Sequence, residues 1–222
     1  GTNWGLVRSV SKLVESVTYA DNLFVAVGAD GSTLVSTDGM SWASRPAVTT
    51  RRLLGVTYGA GRFVAAGTRG TLLTSTDTVT WTPVPSGTPD RMETIDFSGG
   101  LFISAGENGT IITSTNGTAW STQSLGITRD LDGMDVAHGT LVVVGKGGSI
   151  LTSTDGTHYT AQDAGVTNDL HGVTWGGGLW VAVGEPGIVL TSSNAVNWTR
   201  HVTGTTNSIK DGTYADGQWI VV

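Results

Sequence analysis

Ten side chains able to carry charge or move a proton stand in short polar segments between the β-rich stretches of this chain. They are Arg51, Arg52, Arg91, Glu93, Arg129, Asp130, Asp132, Asp169, His171 and Lys210. Guanidinium forks suit carboxylates and phosphates, and carboxyl groups set in pairs can divide acid and base roles in hydrolysis. Brought to one place, the set describes a polar pocket for a small ligand, a peptide or a glycan. Hydrolysis could draw on Asp130, Asp132 or Glu93, but nothing in the spacing singles out a pair. The four histidines, at 138, 158, 171 and 201, show no metal-ligand spacing. Cysteine is absent, which removes disulfides, thiolate nucleophiles and Cys-ligated metals. "GKGGS" (145–149) has no helical pattern behind it and reads as a turn rather than a phosphate loop. No cofactor and no metal are expected.

A second set of carboxylates and amides is too regular for catalysis. "STDGMSW" (36–42) returns as "STDTVTW" (75–81), "STNGTAW" (114–120), "STDGTHY" (153–159) and "SSNAVNW" (192–198). Asp38, Asp77, Asn116, Asp155 and Asn194 can each accept backbone N–H groups of their own turn. The aromatic residue closing each copy suits a junction between sheets. A catalytic residue has no reason to occur five times, so these positions read as turn staples.

The elements that must carry both sets follow from a 39-residue rhythm. Tyr19, Tyr58, Phe97, Val136, Trp175 and Tyr214 form one column, Gly28, Gly67, Gly106, Gly145 and Gly184 a second, and Gly31, Gly70, Gly109, Gly148 and Gly187 a third. Within one unit, "GVTYG" (55–59), "RFVAAG" (62–67), "TLLTST" (71–76) and "TWTPV" (80–84) alternate with period two and are parted by turn signals. Four short strands in about 40 residues make a propeller blade. The expectation is one all-β domain over 1–222, a β-propeller of six blades; the alternative is five full blades plus leftover strands. The glycine columns need positive φ or a close backbone approach. The connections before each inner strand vary most. One column there reads Leu13, Arg52, Arg91, Asp130, Asp169, Ser208, and another Glu15, Leu54, Glu93, Asp132, His171, Lys210. Both should crowd one mouth of the channel, with Arg51, Arg52 and Arg91 on one side and Asp130, Asp132 and Asp169 opposite.

The repeated Ser-Thr-Asp turns resemble the Asp-box, or bacterial neuraminidase repeat, with a contracted Asp-to-Trp spacing. "FVAVGADGSTLVSTDG" and "WVAVGEPGIVLTSSN" are also similar to blades of photosystem-assembly-factor propellers. The resemblance spans essentially the whole chain and implies a sialidase-like propeller fold. It says little about function, since such turns are structural and occur in enzymes and binding proteins alike. A sialidase would need three converging arginines, a Tyr nucleophile with its Glu base, and an Asp acid. Arg52, Arg91 and Arg51 or Arg129 could supply the first. No "RIP" stretch is present, and Tyr19, Tyr58, Tyr159 and Tyr214 sit in repeat columns and read as core. The residues therefore favour a non-catalytic binding or assembly module over a lectin or glycoside hydrolase.

Trp4 aligns with Trp42, so residues 1 to about 10 should supply an outer strand to a sixth blade whose inner pair is "DGTYADGQWIVV" (211–222). That blade lacks about eleven residues of the pattern. Three expectations compete: a trimmed piece of a longer protein, a complete three-stranded blade, or a slot filled by a strand from a partner or a second copy. A scaffold, natural or engineered, fits the last of these. Twelve basic and eighteen acidic residues leave a net charge of −6, unlike a nucleic-acid binder. No run of about 18 apolar residues is present to span a membrane. A low charged fraction of 14% with much Ser and Thr suits a bacterial protein that is secreted or periplasmic. No signal peptide is present, though a mature or trimmed chain would have lost one.

Overall fold

The computed structural model describes residues 13–123 and 125–222. Blade 1 holds β1 (Val14–Ala20), β2 (Leu23–Gly28), β3 (Thr33–Ser36) and β4 (Ala43–Arg45). Blade 2 holds β5 (Leu53–Gly59), β6 (Arg62–Gly67), β7 (Leu72–Ser75) and β8 (Thr82–Val84). Blade 3 holds β9 (Met92–Ser98), β10 (Leu101–Gly106), β11 (Ile111–Ser114) and β12 (Ser121–Gln123). Blade 4 holds β13 (Leu131–Ala137), β14 (Thr140–Gly145), β15 (Ser149–Ser153) and β16 (Thr160–Gln162). Blade 5 holds β17 (Leu170–Gly176), β18 (Leu179–Gly184), β19 (Ile188–Ser192) and β20 (Thr199–His201). A two-stranded sheet, β21 (Gly212–Ala215) and β22 (Gln218–Val221), follows.

Each of the five sheets is antiparallel in strict sequence order. Each inner strand packs beside the next: β1 with β5, β5 with β9, β9 with β13, β13 with β17, and β17 with β21. Sheets stacked radially in this way are a β-propeller, as the rhythm predicts. The strand expected from residues 1 to about 10, Trp4 included, lies outside the described residues.

The core sits between blades, because a sheet buried on both faces needs a neighbour on each side. Val25, Val27 and Val35 of blade 1 meet Leu53, Val56, Phe63 and Trp81 of blade 2. Val64, Ala66 and Leu72 of blade 2 then meet Met92, Ile95, Phe102 and Ile112 of blade 3. Each large side chain buried there contributes on the order of 1.5–3 kcal/mol. The rings closing the Ser-Thr-Asp copies do the same work: Trp81, Trp120, Tyr159 and Trp198 pack against the preceding blade.

Two glycine columns serve two different needs. Gly70 sits at φ 63°, in the left-handed region. Gly67 is extended, but a Cβ there would lie 2.1 Å from the Arg52 carbonyl oxygen, so backbone and backbone could not meet.

One expectation fails in blade 1. Tyr19 is not core but 58% exposed, leaning on Phe24 with ring centroids 4.5 Å apart. Its column faces the preceding blade, and among the described residues no comparable packing joins β21 back to β1.

Candidate functional site at the channel mouth

Antiparallel order sends the turns after β2, β6, β10, β14 and β18 to the same end of the ring as the connections into each inner strand. The Ser-Thr-Asp turns fall at the opposite end. At the mouth end every inner strand begins with the same irregularity. Pairing slips between Val14 and Ser16, Leu53 and Gly55, Met92 and Thr94, Leu131 and Gly133, and Leu170 and Gly172. The extra residues are Glu15, Leu54, Glu93, Asp132 and His171. A β-bulge frees its residue from the alternation of the sheet and re-aims the side chain.

The invariant glycine helps to set each bulge. With no Cβ in the way, the turn's next N–H reaches the carbonyl just before the strand. Thr68 donates to Arg52 at 3.0 Å, Glu107 to Arg91 at 2.8 Å, Lys146 to Asp130 at 2.9 Å and Glu185 to Asp169 at 3.0 Å.

The five bulge residues, with Lys210 ahead of β21, line a cavity of about 270 Å³. A second tier, including Ser16, Thr94 and Asp211, lies just behind them. Charges here are paired both within and across blades. The Arg52 guanidinium of blade 2 donates to Glu15 of blade 1 at 2.8 Å. Arg91 holds Glu93, and its Nε lies 3.4 Å from Glu107. Lys146 lies 3.1 Å from Asp169 and 3.4 Å from Asp132. Asp132 is 3.3 Å from Nδ1 of His171, whose Nε2 lies 3.2 Å from the Lys210 ammonium and 3.4 Å from Glu185. One polar chain thus runs from blade 4 through blade 5 to the C-terminal sheet.

Burial pushes the Glu93 carboxyl above its ordinary value; the Arg91 charge opposes this, while Asp132, Glu107 and Asp130 add to it. Burial works against the Lys146 charge too, yet Asp169 and Asp132 hold that ammonium above the ordinary lysine range. The Gly147 N–H, and after it Lys146, hold Asp169 low.

Of the ten candidates, Glu93, Asp132, His171 and Lys210 line the cavity, and Arg52 and Arg91 bind residues at it. The other four are occupied in turns. Arg51 donates to the Arg69 carbonyl at 3.1 Å, and Arg129 to the Gly147 carbonyl at 2.9 Å. Asp130 accepts the Asn108 N–H and Asp169 the Gly147 N–H, each from the blade before. The arginines therefore reach separate partners instead of converging, and the charges do not divide into a basic and an acidic side, because Arg52, Arg91 and Lys146 each pair with a nearby carboxylate while Arg51 and Arg129 hold backbone carbonyls. Among the described residues no group of three His, Asp or Glu could hold a metal ion.

Three acidic features lie outside the ten candidates, although the column shared with Glu93 had already placed the first of them at the mouth. Glu15 shares the bulge column, and Asp211 lines the second tier. Deeper along the inner strands, Asp96 and Asp135 replace the Thr of the other blades. Asp135 joins two blades: its Oδ1 accepts the Val136 N–H and its Oδ2 the Trp175 N–H of the next blade, both at 2.7 Å. Ser16 accepting from Val56, and Thr174 donating to the Gly212 carbonyl, make the same kind of link. Burial pushes both carboxyl groups up. The 39-residue column Thr18, Thr57, Asp96, Asp135, Thr174, Thr213 holds the signal that could have found them.

No protein-family model matches the chain, and no curated protein matches it. Solved structures do. The chain is similar to YCF48 bound to D1 peptide, with a TM-score of 0.73 and 18% identity over 92% of this chain and 72% of that one. It is similar to the WD40 β-propeller domain of Doa1, with a TM-score of 0.71 and 14% identity over 93% and 73%. It is also similar to the computationally designed Ika8 protein, with a TM-score of 0.74 and 13% identity over 94% and 67%. At these identities the likeness shows the fold, a β-propeller.

Proposed function

We propose that this propeller is a non-catalytic binding or assembly module that holds an extended peptide or a protein loop at the channel mouth. The observation that supports it most is the bulge column. The same backbone device turns one residue per blade toward a shared cavity, and the residue types there differ from blade to blade. Elsewhere the repeat keeps its residues alike, so variety at the re-aimed position suits recognition. The paired charges suit a ligand that carries both signs, as a peptide does, and exchanges ion pairs with the rim. One structural neighbour, YCF48, was itself solved with a peptide. Separate partners for the arginines weigh against a sialidase-type site. We also read the five Ser-x-Asp and Ser-x-Asn turns as Asp-box turns, because the carboxylate or amide oxygen of each accepts backbone N–H groups of its own turn.

Peptide and glycan arrays on the purified chain test this reading. The expected result is peptide signal that falls at least about tenfold, roughly 1.4 kcal/mol, in a Glu93→Gln, His171→Ala double variant. Asp77→Asn at the far end should leave it unchanged. Signal on glycans alone would favour a lectin, and peptide binding that survives the double variant would move the site away from the mouth.

A further inference from the structure

The first two strands of each sheet hold a pair of aromatic rings against each other, except in blade 4. Tyr19 stands directly opposite Phe24, Tyr58 opposite Phe63, Phe97 opposite Phe102, Trp175 opposite Trp180 and Tyr214 opposite Trp219. Their ring centroids lie between 4.5 and 5.3 Å apart. In blade 4 the same two positions are Val136 and Leu141.

The missing rings leave a space, because the first ring of each pair also packs on the blade before. Phe97 covers Gly59 so closely that a Cβ there would stand 2.1 Å from the ring, and the Tyr214 side chain covers Gly176 at 2.2 Å. At the junction of blades 3 and 4 the facing residue is Ser98, and Val136 reaches less far than a ring. A cavity of about 100 Å³ lies between the two blades there, lined by Ser98, Ile103, Val136, Leu141, Thr154 and Gly156 among others. It opens at the far end, where Gly99, Gly139 and Thr154 are exposed. The mouth cavity lies at the opposite end of the same blades.

Size and lining restrict what can enter. A closed apolar cavity of about 150 Å³ holds benzene. About two-thirds of that volume, open on one side, takes a single ring with its edge in solvent and leaves no room for fused rings. Two packed sheets leave a narrow slot between them, which suits a flat ring better than a puckered one. Ile103, Val136 and Leu141 give aliphatic walls, while Ser98 and Thr154 bring hydroxyl groups to the lining. A phenol matches both, with an apolar face for the walls and one polar group for the hydroxyls.

We infer that this gap is a binding site for one phenol-type ring, which completes from outside the packing that the chain's own rings supply at other junctions. The inference does not rest on the peptide reading of the mouth.

Titration of the isotope-labelled chain with p-cresol, followed by NMR, tests it. Saturable shifts are expected in the amides around Ser98, Val136 and Thr154, with affinity in the millimolar range. Cyclohexanol, a puckered ring of similar size, should bind at least about tenfold more weakly. Ser98→Gly, Val136→Phe and Leu141→Phe together rebuild the arrangement of Gly59, Phe97 and Phe102, and should abolish the shifts without lowering the melting temperature. Leu141→Phe alone replaces the triple variant if that does not fold. A parallel titration with acetyl-tyrosine amide separates the sources of the ring. Competition with p-cresol assigns the site to a tyrosine side chain of a partner, and p-cresol binding without competition assigns it to a free phenol. No saturable shift from p-cresol, equal binding of cyclohexanol, or shifts that persist in the filled variant overturn the inference.

Discussion

The two ends of this propeller are built from the same strands by opposite rules. At the far end, one turn is made five times. In blade 1, Ser36 Oγ accepts the Gly39 N–H at 2.9 Å, and Asp38 Oδ1 accepts Met40 and Ser41 at 2.8 and 2.7 Å. In blade 3, Ser114 accepts Gly117 at 2.9 Å, and Asn116 accepts Thr118 and Ala119, both at 2.9 Å. At the mouth, the backbone is just as repetitive, but the bulges carry Glu, Leu, Glu, Asp and His in turn, and even the two glutamates have different partners, Arg52 for Glu15 and Arg91 for Glu93. Repetition at one end satisfies the backbone of each blade. Constancy of backbone with variety of side chain at the other end gives a surface that can change without endangering the fold.

The largest test of this contrast lies in the mouth scaffold itself. Gly106→Ala would place a Cβ 1.9 Å from the Arg91 carbonyl oxygen, backbone against backbone. Unfolding in denaturant should show a loss of about 3 kcal/mol or more, at the upper end for single substitutions. A loss below about 1 kcal/mol would mean that the bulge does not depend on this approach.

Next comes the repeated serine. Ser75 is buried, and its Oγ accepts the Thr78 N–H at 2.9 Å while donating to Asp77 at 3.1 Å. Ser75→Ala should cost about 1–2 kcal/mol, since a donor is left without its acceptor. The same change at Ser36, Ser114, Ser153 and Ser192 should cost similar amounts. Widely different costs would break the idea that the far end is one device used five times.

How far the sequence carries depends on which kind of information each end needs. The 39-residue spacing, the glycine columns and the Ser-x-Asp turns are local and repeated, so four-stranded blades and their turn bonds are legible in the order of residues alone. A bulge is a register shift between two strands, and period-two alternation through "RMETIDF" (91–97) gives no sign that Glu93 is the extra residue. Pairing across blades is equally hidden: Arg52 meets Glu15, 37 positions earlier, because the ring brings successive blades together. The exposure of Tyr19 is also invisible in a column, because the column says which face a residue takes and not whether a neighbour is there.

A smaller effect should run in the opposite direction. Thr78 sits at φ 60°, a strained place for a β-branched residue, where Gly39, Gly117 and Gly156 stand in three of the other turns and Ala195, also at φ 60°, in the fourth. Thr78→Gly should raise stability by about 1 kcal/mol in thermal unfolding, the relief of strain outweighing the lost methyl contact. A loss instead would show that this copy has come to depend on its side chain. At the mouth, Arg52→Ala should change stability by about 0.5 kcal/mol or less, because its pair with Glu15 is half-exposed and screened by solvent.

The smallest effect separates two sets of carboxylates by the sign of their pH dependence. The Ser41 N–H, then the Met40 N–H and the Ser36 hydroxyl, hold Asp38 down to about 2, and similar bonds lower Asp77 and Asp155. Such groups stabilise the fold above the ordinary carboxylate range, near pH 4, and lose that contribution as the pH falls toward about 2. Asp96 and Asp135 are raised by burial, so their contribution is present below the ordinary range and fades as the pH climbs through their folded values. Asn116 and Asn194 make the same turn bonds without titrating. Replacing Asp38, Asp77 and Asp155 by Asn should therefore flatten the fall in melting temperature between about pH 4 and pH 2 while leaving melting near neutrality almost unchanged. If the acid limb stays as steep, the acid sensitivity belongs to other carboxylates, and the turn rim stabilises through its backbone bonds alone.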